Sequence, residues 1–122
     1  MPPKITKLAE CIRDFEGKPG DLNYRNNNAG NCRYNNSGYR SIYGNVRKDK
    51  RGFAIFPTWD QGWLYLQNMI FSWARSSKAD YTILELINEY APTSDGNDPE
   101  AYANNIIKRM GISAHTKLKD LL

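Results

Sequence analysis

Apolar residues at Ile5, Leu8, Cys11, Ile12 and Phe15 recur at helical spacing behind two prolines and Thr6, and predict a first helix that ends near Gly17. From Gly17 to Gly52 the helical period vanishes, and Gly, Asn, Ser, Tyr and Arg dominate. This stretch predicts irregular structure with short strands at Arg40–Tyr43 and Phe53–Phe56, joined through the turn-like Lys48-Asp49-Lys50-Arg51-Gly52. The pattern switches back after Pro57, where Thr58-x-x-Gln61 reads as a capping box ahead of a long helical segment. Trp63, Leu66, Ile70 and Trp73 mark one face of that helix, while Leu64 and Phe71 lie off it. Apolar positions on more than one side predict a central, buried helix.

A second capping box, Thr82-x-x-Glu85, opens a shorter helix with Ile83, Leu86, Ile87 and Tyr90 inside. Asp98-Pro99 pairs an N-cap with proline at the first helical position, and Gly111 suits the far end of the same helix. The tail from Ser113 to Leu122 predicts one more short helix. The expected fold is α+β and mostly helical, with a small β-rich loop region after the first helix.

At 122 residues the chain is expected to form one domain, 1–122. With 40% apolar and 25% charged residues it has the composition of a folded globular protein, not of a disordered or fibrous one. No run of eighteen apolar residues is present, so no membrane span is expected. The opening segment has no apolar core of the signal-peptide kind.

Charge changes the picture more than composition does. Residues 1–55 carry eleven Lys/Arg against five Asp/Glu, and residues 56–122 carry six against eight, so the first half is +6 and the second −2. A basic half points to an anionic partner: nucleic acid, a membrane surface or an anionic cell-wall polymer. Two Cys and one His cannot build a four-ligand zinc site of the usual Cys/His kind, so a zinc amidase or a zinc finger is excluded; neither metal nor cofactor is expected. Cys11 and Cys32 fit two buried thiols better than a disulfide.

Glu16, in Phe15-Glu16-Gly17, is the candidate catalytic residue. A carboxyl at a helix end, against an aromatic side chain and an irregular wall, sits where a general acid can stay protonated near neutral pH. The bland alternative is an exposed acid closing a helix. The second candidate is the run Arg25-Asn26-Asn27-Asn28-Ala29-Gly30-Asn31. Asn amides, with a glycine that lets backbone approach, suit the N-acetyl and hydroxyl groups of a sugar, though Asn and Gly are also the commonest turn residues.

The series Phe15-Glu16-Gly17, the RNNNAGN run at 25–31, the segments FAIFPTWDQGW and TILELINEYAP, and DGNDPEAYANNIIKR is similar to a family of small phage and prophage proteins. Their pattern resembles the lysozyme-like lytic transglycosylases, and the resemblance covers roughly residues 8–112. It implies a lysozyme-like fold with Glu16 at the position of the catalytic acid. Asn28-Ala29-Gly30-Asn31 falls where those enzymes have a Gly-Ala-x-Gly-Leu turn lining the glycan groove. Arg25, Asn28, Gly30 and Asn31 are then expected substrate contacts, and Tyr102, on the helix opened by Asp98-Pro99, is expected to face the acid. The implied partner is a peptidoglycan glycan strand, with phage virion proteins as further partners and nucleic acid disfavoured. The implied setting is the host cytoplasm or the virion, with action on the bacterial cell wall.

A two-carboxylate phage-type lysozyme places an Asp about nine residues after its Glu. Nine after Glu16 is Arg25, and Asp21 is five after, so a single-carboxylate mechanism is expected, leaving a 1,6-anhydro end. Other constellations are weaker. His115 with Cys32 would make an amidase pair, but His115 lies in a polar helix start; Asp95-Gly96-Asn97-Asp98 lacks the last ligand of a calcium loop. Trp59, Trp63 and Trp73 fit core positions, whereas Tyr24, Tyr34, Tyr39 and Tyr43 are better placed to stack on sugars or bases. Two competing readings remain: a non-catalytic virion or interaction protein on the same fold, and a basic nucleic-acid-binding domain built on Arg25, Arg33, Arg40, Arg47, Lys48, Lys50 and Arg51.

Overall fold

The structure, a computed structural model, describes residues 1–91 and 96–122. The elements run α1 (Pro3–Glu16), α2 (Leu22–Arg25), a 3-10 turn (Ser41–Tyr43), β1 (Arg47–Lys48), β2 (Ala54–Ile55), α3 (Trp59–Arg75), α4 (Ile83–Tyr90), α5 (Pro99–Met110) and a last 3-10 turn (Leu118–Leu121). The fold is α+β, with β1 and β2 forming an antiparallel pair. Residue contacts divide the chain into two compact units, 1–11 with 70–122, and 12–69.

In the first unit α4 packs on α5, burying Ile83, Leu86 and Ile87 on one side and Tyr102, Ala103 and Ile106 on the other. Both helices start where their caps dictate. Thr82 Oγ1 accepts from the Glu85 N–H at 3.3 Å, and Glu85 Oε1 accepts from the Thr82 N–H at 3.0 Å. Asp98 accepts from the Ala101 N–H at 3.1 Å, and α5 stops at Gly111, whose φ of 65° is left-handed. The tail forms a single 3-10 turn at Leu118–Leu121, tied to the 79–82 segment by Leu118 N–H to the Tyr81 carbonyl (2.9 Å) and by Lys119 to Asp80 (2.8 Å).

The second unit holds the irregular segment, and here two expectations are corrected. Arg40–Tyr43 is not a strand. Tyr43 turns inward to 5% exposure within a 3-10 turn, and Gly44, at φ 71°, reverses the chain against Pro57 and Gln61. The partner of β2 is Arg47–Lys48, so strand pairing begins where the turn was expected to start. Tyr43, Val46, Ala54 and Phe56 then form a small core, with Tyr34, Tyr39 and Tyr65 packed around it. Tyr43 and Tyr39 are therefore structural and not stacking platforms. The Tyr43 hydroxyl accepts from the Asn68 amide at 2.9 Å, and burial raises the Tyr39 pKa.

The α3 helix starts at the Thr58 cap, with Gln61 N–H donating to Thr58 Oγ1 at 3.2 Å, but the reciprocal bond of the expected box is replaced by one between side chains, Thr58 Oγ1 donating to Gln61 Oε1 at 3.0 Å. It is not buried all round, however. Leu66, Ile70 and Ala74 form one buried stripe, whereas Leu64 is 37% exposed. The off-stripe aromatic residues are half-buried and partly covered by cations instead of by core. Arg13 lies over Trp63 at 5.3 Å, Arg75 over Phe71 at 5.0 Å, and Lys78 over Trp73 at 5.1 Å. Trp59 stacks on Tyr24 with centroids 4.3 Å apart.

Candidate functional site

Glu16 is the last residue of α1 and half-buried. The helix stops there because Gly17 follows, and its position admits no side chain: a Cβ would land on the Asn23 Oδ1 atom. Asn23, fully buried, uses its amide nitrogen to join two carbonyls, Arg13 in the last turn of α1 (3.3 Å) and Ala29 in the loop beyond α2 (3.1 Å). The loop is thereby fixed to the helix end. Asn31, in the left-handed region at φ 48°, then donates its amide to Glu16 Oε1 at 3.2 Å.

The structure thus brings together two of the residues singled out by sequence, Glu16 and Asn31. The Asn31 amide gives one oxygen of the carboxyl a donor from the loop. Its other atom, Oδ1, is buried with no hydrogen-bond partner in the structure, and the same is true of Asn23 Oδ1. Orphaned buried acceptors are uncommon and call for an explanation.

Asn28 does not fit its expected part as a groove contact. It is 1% exposed, and its amide nitrogen donates to the carbonyls of Cys32 and Ala54, both at 2.9 Å. Its Oδ1 accepts from the Cys32 N–H at 2.9 Å. Both amide hydrogens are engaged, so Asn28 is a scaffold residue. Asn26 and Asn27 act likewise, donating to Asp49 Oδ2 (2.9 Å) and to the Phe56 carbonyl (3.1 Å). Gly30 is buried within the same loop, and Arg25 is exposed at the end of α2. Tyr102 belongs to the other unit, where it is 1% exposed in α5. The contribution of Asn23 was missed, because nothing local marks it apart from its neighbouring asparagines.

The remaining candidates are accounted for by structure. Asp21 accepts from the Lys18 N–H at 2.8 Å and closes a turn. Cys11 and Cys32 are buried thiols, and His115 is exposed. Asp95 lies outside the described residues, while Asp98 is the cap of α5. Among the described residues no cluster of three His, Cys, Asp or Glu side chains could hold a metal ion, and no helix is long and apolar enough to cross a membrane.

Asp49 is the one acid of the hairpin turn. Burial pushes its carboxyl pKa up, but hydrogen bonds from the Phe53 N–H, the Asn26 amide and the Arg51 N–H outweigh this and hold it below the usual range. Comparison of the chain with models of known families, with curated proteins and with solved structures returns no match.

Proposed function

We propose that the chain cleaves the glycan strand of peptidoglycan at the MurNAc-GlcNAc β-1,4 bond, as a lytic transglycosylase with Glu16 as its single acid and base. The observation that carries the reading is the Asn31–Glu16 contact of 3.2 Å, which joins two of the motifs on which the resemblance to lytic transglycosylases rests. Glu16 protonates the glycosidic oxygen as the bond to the leaving sugar breaks. The resulting carboxylate then accepts the proton of the muramoyl 6-hydroxyl as that oxygen closes on the anomeric carbon, which leaves a 1,6-anhydro end. Asn31 orients the carboxyl through its amide N–H. Exposed Arg25 contributes charge toward the anionic wall.

The test is Glu16→Gln. General acid catalysis contributes about 10²–10⁴-fold, so clearing of purified cell wall in a zymogram falls by at least that order while the melting curve is unchanged. Mass analysis of the products shows 1,6-anhydromuropeptides. Retained cleavage by the variant refutes the role of Glu16, and reducing ends, heavier by one water, refute the transglycosylase chemistry.

A further inference from the structure

Six cations crowd a nineteen-residue stretch of the second unit, Arg33, Arg40, Arg47, Lys48, Lys50 and Arg51, against one carboxylate, Asp49. All six are exposed, and none takes part in an ion pair among the described residues. The fold gathers four of them. Lys48 sits on β1 opposite Ala54, Lys50 and Arg51 form the turn, and Arg33 bridges Phe53 from the other side. Arg33 Nη1 donates to the Arg51 carbonyl at 2.9 Å, which lays its guanidinium over the Phe53 ring at 4.6 Å and onto the turn. Asp49 offsets one of these charges but makes no ion pair with any of the six, because its two oxygens accept from the Arg51 and Phe53 N–H groups and from Asn26. Unpaired, exposed cations held on a rigid turn favour a polyanion, which gains by releasing its own counterions.

We propose that this hairpin binds a polymer of polyols linked by phosphodiesters, an anionic wall polymer. The aromatic residues decide between this and a nucleic acid. Single-stranded nucleic acids are held by stacking bases on open rings. Here Tyr34 has Lys48 over it at 5.7 Å and Tyr39 against it at 5.5 Å, Phe53 is covered by Arg33, and Tyr43 is buried. The stretch contributes a 3-10 turn and the two-residue strand β1, so it offers no helix for a duplex groove and only a two-residue ribbon in its place. A polyol phosphate carries no bases and asks only for cations spaced along a surface. Among large apolar side chains the stretch exposes only Ile42, which is too little for membrane insertion. The inference extends the wall-cleaving reading by naming the polymer that would hold the protein at its substrate, but the binding itself needs no catalysis.

The experiment titrates the full chain with purified poly(glycerol phosphate) at rising salt, with single-stranded oligo(dT) and phosphatidylglycerol vesicles as comparison probes. Affinity for poly(glycerol phosphate) falls at least ~10-fold between about 50 and 200 mM salt. The triple variant Lys48→Ser/Lys50→Ser/Arg51→Ser lowers the slope of log affinity against log salt by about two, at ~0.7 per lost contact. The single variant Lys50→Ser gives the same direction at about a third of the size should the triple variant not fold. Lys4→Ser/Lys7→Ser, which removes exposed charge from α1, leaves the slope unchanged. Absence of binding, an unchanged slope in the hairpin variants, or tighter binding to oligo(dT) or vesicles overturns the proposal. Glu16→Gln retains full binding, so loss of cleavage and loss of binding are read separately.

Discussion

Asn28→Ala is expected to destabilise the second unit strongly, because this side chain joins the loop, Cys32 and β2 through three buried hydrogen bonds. Truncation leaves the Cys32 N–H and the Ala54 carbonyl without the partners they have at 2.9 Å. The Ala54 carbonyl cannot turn to β1, since the Ala54 N–H on the same side of the strand donates to the Cys32 carbonyl at 3.0 Å. The Cys32 carbonyl keeps that bond and is not orphaned. Two buried orphans at about 1–3 kcal/mol each put the loss at ~2–6 kcal/mol. That is a large part of the roughly 5–15 kcal/mol that holds a typical domain. Asn28→Asp keeps the shape but turns an acceptor toward two carbonyls, which raises the folded pKa of the new carboxyl above its unfolded value. Its stability is therefore best in acid and falls as pH rises through the folded pKa. Urea titration followed by tryptophan fluorescence, at several pH values, measures both. A loss below about 1 kcal/mol for Asn28→Ala, or lost wall cleavage with unchanged stability, would refute the scaffold role and restore Asn28 as a ligand contact.

Two further outcomes follow from the second unit. Gly62→Ala would ordinarily gain about 1 kcal/mol in a helix interior, but here the added Cβ would land on the Asn27 carbonyl oxygen. A loss of ~1–3 kcal/mol in thermal or urea unfolding is expected instead, and a stabilised variant would contradict the close approach. Asp49, whose carboxyl is held below the usual range, contributes stability that is complete above the unfolded pKa and is lost as pH falls through the lower folded value. Wild type should therefore lose stability faster than Asp49→Asn below about pH 4, and parallel acid-unfolding curves would count against the turn network.

What could be read from the chain beforehand follows the range of the interactions. The Thr58 cap, the capping box at Thr82 and the Asp98-Pro99 start with its Gly111 stop depend on neighbours within a few residues, and each helix starts where its local sequence predicts. Arg40–Tyr43 does not, because what bends it is Gly44 meeting Pro57 and Gln61. Glu16 and Asn31 were both recognisable as chemistry-bearing residues, and their meeting at 3.2 Å is a tertiary fact. The asparagines between them look alike in sequence; Asn28 and Asn31 are separated only by partners that lie far along the chain.

The asparagine stitching also bears on how the second unit assembles. The bonds from Asn26 to Asp49, Asn28 to Ala54 and Asn27 to Phe56 close loops of 23, 26 and 29 residues. The entropy of closing a loop grows only with the logarithm of its length, and these three overlapping loops are variants of one closure. Once the first contact forms, the next two require little further loss of chain freedom. Adjacent asparagines on one short loop therefore behave as a zipper, and the hairpin, the aromatic cluster and the loop that orients Glu16 form or melt together.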